Sequence, residues 1–74
     1  MIELTIIQGG TIVYHSATLK SLKAMRSAMR SYIERAGRRT ARHAQVRIER
    51  DGKRRSCRLE STLAYRKEPR AVAA

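Results

Sequence analysis

The stretch Ala44-Gln-Val-Arg-Ile-Glu-Arg-Asp51-Gly52-Lys-Arg-Arg-Ser-Cys-Arg-Leu-Glu60 decides the fold. Ala44, Val46 and Ile48 alternate with Gln45, Arg47 and Glu49, the period of a strand with one apolar face. Asp51-Gly52 then gives the residue types that accept positive φ at both centres of a two-residue hairpin loop. With that loop, Val46 faces Cys57 and Ala44 faces Leu59. The other face holds Gln45, Arg47, Glu49, Arg54, Ser56 and Arg58. A one-residue slip would carry every side chain to the wrong face, and both strands agree on the apolar side. The sequence therefore predicts strands over 44–50 and 53–60.

Towards the N-terminus, two more β-prone runs, 2–8 and 11–16, flank Gly9-Gly10 and read as a second hairpin. A simple two-residue loop puts Ile7 opposite Ile12 and Thr5 opposite Tyr14. One face then carries Ile2, Leu4, Ile6, Val13 and His15; the other carries Glu3, Thr5, Ile7, Ile12 and Tyr14. Between the hairpins, Leu19, Leu22, Met25, Met29, Tyr32, Ile33 and Ala36 recur at three- and four-residue spacing. That is one apolar stripe on a helix over 18–36. Ser16 or Thr18 is placed to cap it, and Gly37 stands at its C-terminal end.

The fold class that follows is α+β. It is a small single domain over 1–65 in the order β-β-α-β-β, an antiparallel sheet with one helix packed on the face of Ile2, Leu4, Ile6, Val46 and Ile48. Residues 62–65 have the length of one helical turn. The basic, alanine-rich tail over 66–74 is expected to be disordered. Alternation leaves the strand order open.

Seventy-four residues bury a thin core. Chains of this size often add disulfides, a metal or a second subunit. Cys57 is the only cysteine, so no internal disulfide forms, and Cys57, His15 and His43 are too scattered to read as a zinc site. A second subunit is the aid to look for. Ile7, Ile12 and Tyr14 share a face without covering charge, in an N-terminal segment of 19 residues that has no Lys or Arg. The expectation is a symmetric homodimer through those three residues.

The net charge is +11, from 17 Lys and Arg against six Asp and Glu. The excess is concentrated: residues 38–58 hold nine basic residues against Glu49 and Asp51. Thirteen of the 17 are Arg, whose planar fork takes phosphate or carboxylate through paired hydrogen bonds. Arg38, Arg39 and Arg42 leave the helix end, and Arg47, Arg54 and Arg58 share the outer face of the second hairpin. These six are the candidate partner-binding residues. The partner they fit is the DNA or RNA backbone, or the acidic protein surface of a nucleoprotein complex. A solvated face that keeps a small chain soluble would have the same pattern.

Catalysis finds little support. Cys57 alternates onto the apolar side, where a small buried thiol is the ordinary case. His15 reads as a rim residue at a strand end. No Gly-rich phosphate loop precedes a helix. No catalytic residue, cofactor, metal site or small-molecule substrate is therefore assigned. Base readout is equally thin: the chain has no Phe or Trp, and Tyr14 is the only aromatic in a strand. There is also no GXXG clamp, zinc finger or helix-turn-helix pair. No apolar run reaches the ~20 residues of a membrane span. Nor does the N-terminus have the form of a signal peptide, so the expected location is the cytosol.

In its length, its hairpin–helix–hairpin order, its Asp51-Gly52 turn and its exposed charged patch, the chain resembles the small proteins that phages and mobile elements make to disable host nucleic-acid machinery, anti-CRISPR proteins above all. That resemblance implies a non-enzymatic inhibitor that binds a host nucleoprotein complex and blocks its hold on nucleic acid. The group shares no motif, so it transfers no residue roles. Many of its members are acidic mimics of DNA, and this chain has the opposite sign.

Overall fold

The computed structural model describes residues 1–66, and the expected tail, apart from Arg66, lies outside the described residues. The elements are β1 (Ile2–Gln8), β2 (Thr11–Leu19), α1 (Leu22–Ala36), a four-residue α2 (Arg38–Ala41), β3 (Gln45–Arg50), β4 (Lys53–Arg58), a 3-10 turn (Leu59–Ser61) and a four-residue α3 (Leu63–Arg66). The strands form one antiparallel sheet in the order β2-β1-β3-β4. The first strand of each hairpin is thus central, and β2 and β4 are the edges. This is the α+β, β-β-α-β-β architecture that the alternation and the helical stripe imply.

The second hairpin has the register that Asp51-Gly52 dictates, with Val46 opposite Cys57 and Arg47 opposite Ser56. Asp51 and Gly52 both take positive φ, at 53° and 78°, as a twist-matched two-residue loop requires. Ile2, Leu4 and Ile6 of β1 and Val46 of β3 are buried against Met25, Met29, Tyr32 and Ile33 of α1. Ala41, Ala44, Leu59 and Ala64 close that core at one end. The Tyr32 hydroxyl donates to Oε1 of Gln8 at 2.7 Å and pins α1 to the end of β1.

The first hairpin departs from simple alternation. Ile7 does face Ile12, but Ile6, not Thr5, faces Tyr14, because the register shifts between Ile6 and Ile7. Val13 is the extra residue of a β-bulge there. The slip carries Tyr14 to the helix side, where it packs on the core, and turns His15 outward opposite Thr5. Val13 and His15 are therefore not core residues, and both are exposed. A second irregularity between Ile2 and Leu4 lets β2 run on until Leu19 pairs with Ile2. The helix accordingly starts at Leu22, not 18. Ser21 caps it, its Oγ accepting from the Ala24 amide at 3.1 Å, in place of Ser16 or Thr18.

Two more expectations are corrected at the far edge. Leu22 is 40 % exposed, and every residue of β4 is exposed, Cys57 included. Cys57 does sit opposite the buried Val46, on the helix side of the sheet. The helix covers β1 and the adjoining Val46 of β3 and leaves β4 exposed. Residues 59–60, expected to continue β4, instead turn in a 3-10 helix that buries Leu59. Among the described residues no helix is long and apolar enough to cross a membrane.

Candidate polyanion-binding surface

The sheet face turned away from α1 is an open platform whose cross-strand rows follow from the register. One row runs Ile12, Ile7, Gln45, Arg58; the next runs His15, Thr5, Arg47, Ser56; a third contains Glu3, Glu49 and Arg54. Arg47 is at the centre, on an inner strand. Thr5 is only 7 % exposed although it is on this face, because His15 and Arg47 flank it. Glu3, Thr5, Arg47, Glu49 and Arg54 line a polar depression of about 150 Å³.

Carboxylates hold part of this surface in place. Glu49 accepts from Arg54 at 3.4 Å, and Glu3 lies 2.8 Å from Nε2 of His15. At the end of the sheet, Glu60 accepts from Arg58 at 3.0 Å and from Arg42 at 3.4 Å. The Arg58 hydrogen bond keeps the Glu60 carboxyl below its ordinary pKa against the opposing effect of desolvation, with the charge and hydrogen bond of Arg42 adding to it. Arg47 makes no side-chain hydrogen bond or ion pair among the described residues.

The six arginines thus divide. Arg47 and Arg54 share the depression, with Arg58 two rows from Arg54 along β4. Arg42 joins Arg58 through Glu60. Arg38 is engaged elsewhere, with its guanidinium on the Tyr65 ring. Arg39 is exposed on α2. Exposed ion pairs such as Arg58–Glu60 are weak, and a guanidinium with one carboxylate still has free donors for phosphate.

Of the three residues offered for self-association, Ile7 and Ile12 are neighbours on the open face, and Tyr14 is not there. Neither do the polar residues with catalytic potential converge. His15 is on edge strand β2, Cys57 on the opposite edge β4, and His43 is exposed in the turn before β3. Arg50, Lys53 and Arg55, which the sequence crowds at the tip of the second hairpin, are on the helix side of the sheet, Arg50 and Lys53 in the row of Ile2. Arg55 lies opposite Ile48. The Asp51-Gly52 loop already implied that pairing.

The sequence matches no protein-family model, and comparison with curated proteins and with solved structures gives no match either.

Proposed function

We propose that this chain is a non-enzymatic binding protein that grips the phosphate backbone of nucleic acid on its open sheet face. The observation that carries the reading is Arg47, unpaired among the described residues at the centre of an uncovered four-stranded face, with Arg54 and Arg58 beside it on β4. The bulge at Val13 adds to it. By turning Tyr14 to the helix side, it leaves that face without an aromatic on which a base could stack. Binding is then driven by phosphate contacts and tolerant of sequence.

The second reading is a phage-type, anti-CRISPR-like inhibitor that attaches to a nucleoprotein complex and blocks its nucleic-acid binding. A different observation favours it: an apolar trough beside β4, on the helix side, that phosphates alone would not fill. Anisotropy titrations with duplex DNA and single-stranded RNA test the first reading. Binding to any sequence, falling between about 50 and 200 mM salt with a slope of about −0.9 per phosphate neutralised on duplex DNA, is the expected result. No binding at the lower salt would overturn it. Capture of an intact nucleoprotein complex would then favour the inhibitor.

A further inference from the structure

We infer that the trough between α1 and the free edge of β4 is a docking site for an extended, acidic segment of a partner protein, with apolar side chains at alternate positions. This goes beyond nucleic-acid binding and is centred on the other side of the sheet.

Three features meet there. Among the described residues β4 pairs with β3 alone, so its outer backbone N–H and C=O groups have no strand partner. A segment of six residues, roughly 20 Å at ~3.3 Å per residue, can add to that edge as a fifth strand. Beside the edge, the gap between β4 and α1 is a trough rather than packed core. One part, about 750 Å³, is lined by Leu22, Met25, Ile48, Arg50, Lys53 and Arg55 among others. A second part, about 370 Å³, shares Met25, Ile48 and Arg55 with the first and adds Met29, Cys57 and Leu63. Apolar side chains therefore recur from Leu22 at one end to Leu63 at the other, with Ser61 and Thr62 among them in the second part. Leu22 at one end and Leu63 at the other are 40 % and 52 % exposed. Methionines at the base give it the adaptable surface that suits varied apolar side chains.

Charge selects the occupant. Arg26, Arg50, Lys53, Arg54 and Arg55 rim the trough, against Asp51 alone. A second copy of this chain is a poor fit, because edge-to-edge pairing would juxtapose two strands that each have Lys53, Arg54, Arg55 and Arg58. Nucleic acid satisfies the rim but brings no aliphatic groups for Leu22 and Leu63. An added strand of alternating character satisfies both. Its apolar side chains point onto the trough floor, and its carboxylates meet the arginines of the rim and of the open face.

Selection of a displayed random eight-residue peptide library on the immobilised full chain tests this. Enrichment of acidic sequences with alternating aliphatic residues is expected, and no enrichment, or enrichment of neutral or basic sequences, would overturn the inference. The best enriched peptide, synthesised with a fluorophore, should lose about tenfold in affinity to the Leu22→Ser/Leu63→Ser double variant. That variant keeps the net charge and alters exposed positions. Its unfolding temperature should stay near that of the wild type, and single Leu63→Ser serves if it does not. An equally tight complex with the same peptide carrying Ser at its aliphatic positions would reduce the effect to unspecific charge attraction and overturn the inference. So would duplex DNA or anionic vesicles whose own binding is weakened by the double variant, or a dimer that the peptide dissociates. Because the deciding readout is a loss of affinity at Leu22 and Leu63, neither of which is on the open face, its failure is distinguishable from a failure of phosphate binding there.

Discussion

The guanidinium carbon of Arg38 sits 4.0 Å from the centroid of the Tyr65 ring, and the two residues also exchange hydrogen bonds. Nη2 of Arg38 donates to the Tyr65 carbonyl oxygen at 2.9 Å, and the Tyr65 hydroxyl donates to the Arg38 carbonyl oxygen at 3.2 Å. This clasp ties α3 to α2 and so closes the core over Ala41, Leu59 and Ala64. Arg38→Ala should therefore lower stability by about 1–2 kcal/mol, the sum expected of a stacked cation and one hydrogen bond. Arg39→Ala, on the exposed side of α2, should cost under about 0.5 kcal/mol. Urea unfolding of the two variants checks the contrast, and equal costs would remove the structural role of Arg38.

On α1, Met29→Ala should cost roughly 2–5 kcal/mol, because Met29 is fully buried between the helix and the sheet. Leu22→Ala should cost less than about 1 kcal/mol, since much of that side chain is already in solvent. A large loss at Leu22 would mean that the trough closes in solution.

On the open face, reversing Arg47, Arg54 and Arg58 to Glu should abolish nucleic-acid binding and leave the circular dichroism spectrum unchanged. All three are exposed, and none supports the core. Among single changes, Arg47→Ala should weaken binding most, since Arg54 and Arg58 are shared with Glu49 and Glu60. Wild-type affinity in the triple variant would place the phosphate contacts elsewhere.

Acid should loosen the C-terminal turn first. Glu60 has a lowered pKa in the folded chain, so its contribution is present above the unfolded value, near 4.5, and is lost as pH falls through the folded value. The stability difference between pH 7 and pH 3 should therefore be smaller in Glu60→Gln than in the wild type. An identical difference in both would show that Arg58 and Arg42 do not hold that carboxylate in solution.

Self-association follows from where Tyr14 lies. With Tyr14 on the helix side, the open-face patch is reduced to a half-buried Ile7 and an Ile12 that is 61 % exposed. A stable symmetric interface buries about 800 Å² per partner, more than two such side chains offer. Sedimentation at tens of micromolar should return the mass of one chain. A dimer that Ile12→Glu converts to monomer would restore the homodimer.

Much of this was legible in the residues. Asp51-Gly52 fixed the second hairpin because its loop admits one register, and with it the shared face of Arg47, Arg54 and Arg58. Met25, Met29, Tyr32 and Ile33 identified the buried side of α1 by spacing alone. The bulge at Val13 was not legible, because alternation contains no signal for an inserted residue. What fixes it is the packing of Tyr14 on the core, a tertiary contact. The exposure of Cys57 was hidden for a similar reason. Periodicity says which face of a strand is apolar, but not how far across the sheet a single helix reaches. The capture of Arg42 and Arg58 by Glu60 depends on the 3-10 turn at Leu59–Ser61, where alternation alone continues a strand.

The antiparallel pairing of β1 with β3, from Ile2 opposite Arg50 to Ile7 opposite Gln45, is the sheet contact that closes the longest loop. Each hairpin closes over a two-residue loop, whereas that central seam spans the whole helix and its flanking turns and carries the larger loop-closure cost. The seam also brings the highly basic second hairpin against the N-terminal hairpin, which has no Lys or Arg. That step thus joins a ribbon without Lys or Arg to a cationic one, and long-range repulsion does little to oppose it. Like-charge crowding is met within the second hairpin itself, where Arg47, Arg50, Lys53, Arg54, Arg55 and Arg58 stand against Glu49 and Asp51. Added salt should accordingly speed formation of that hairpin more than closure of the seam.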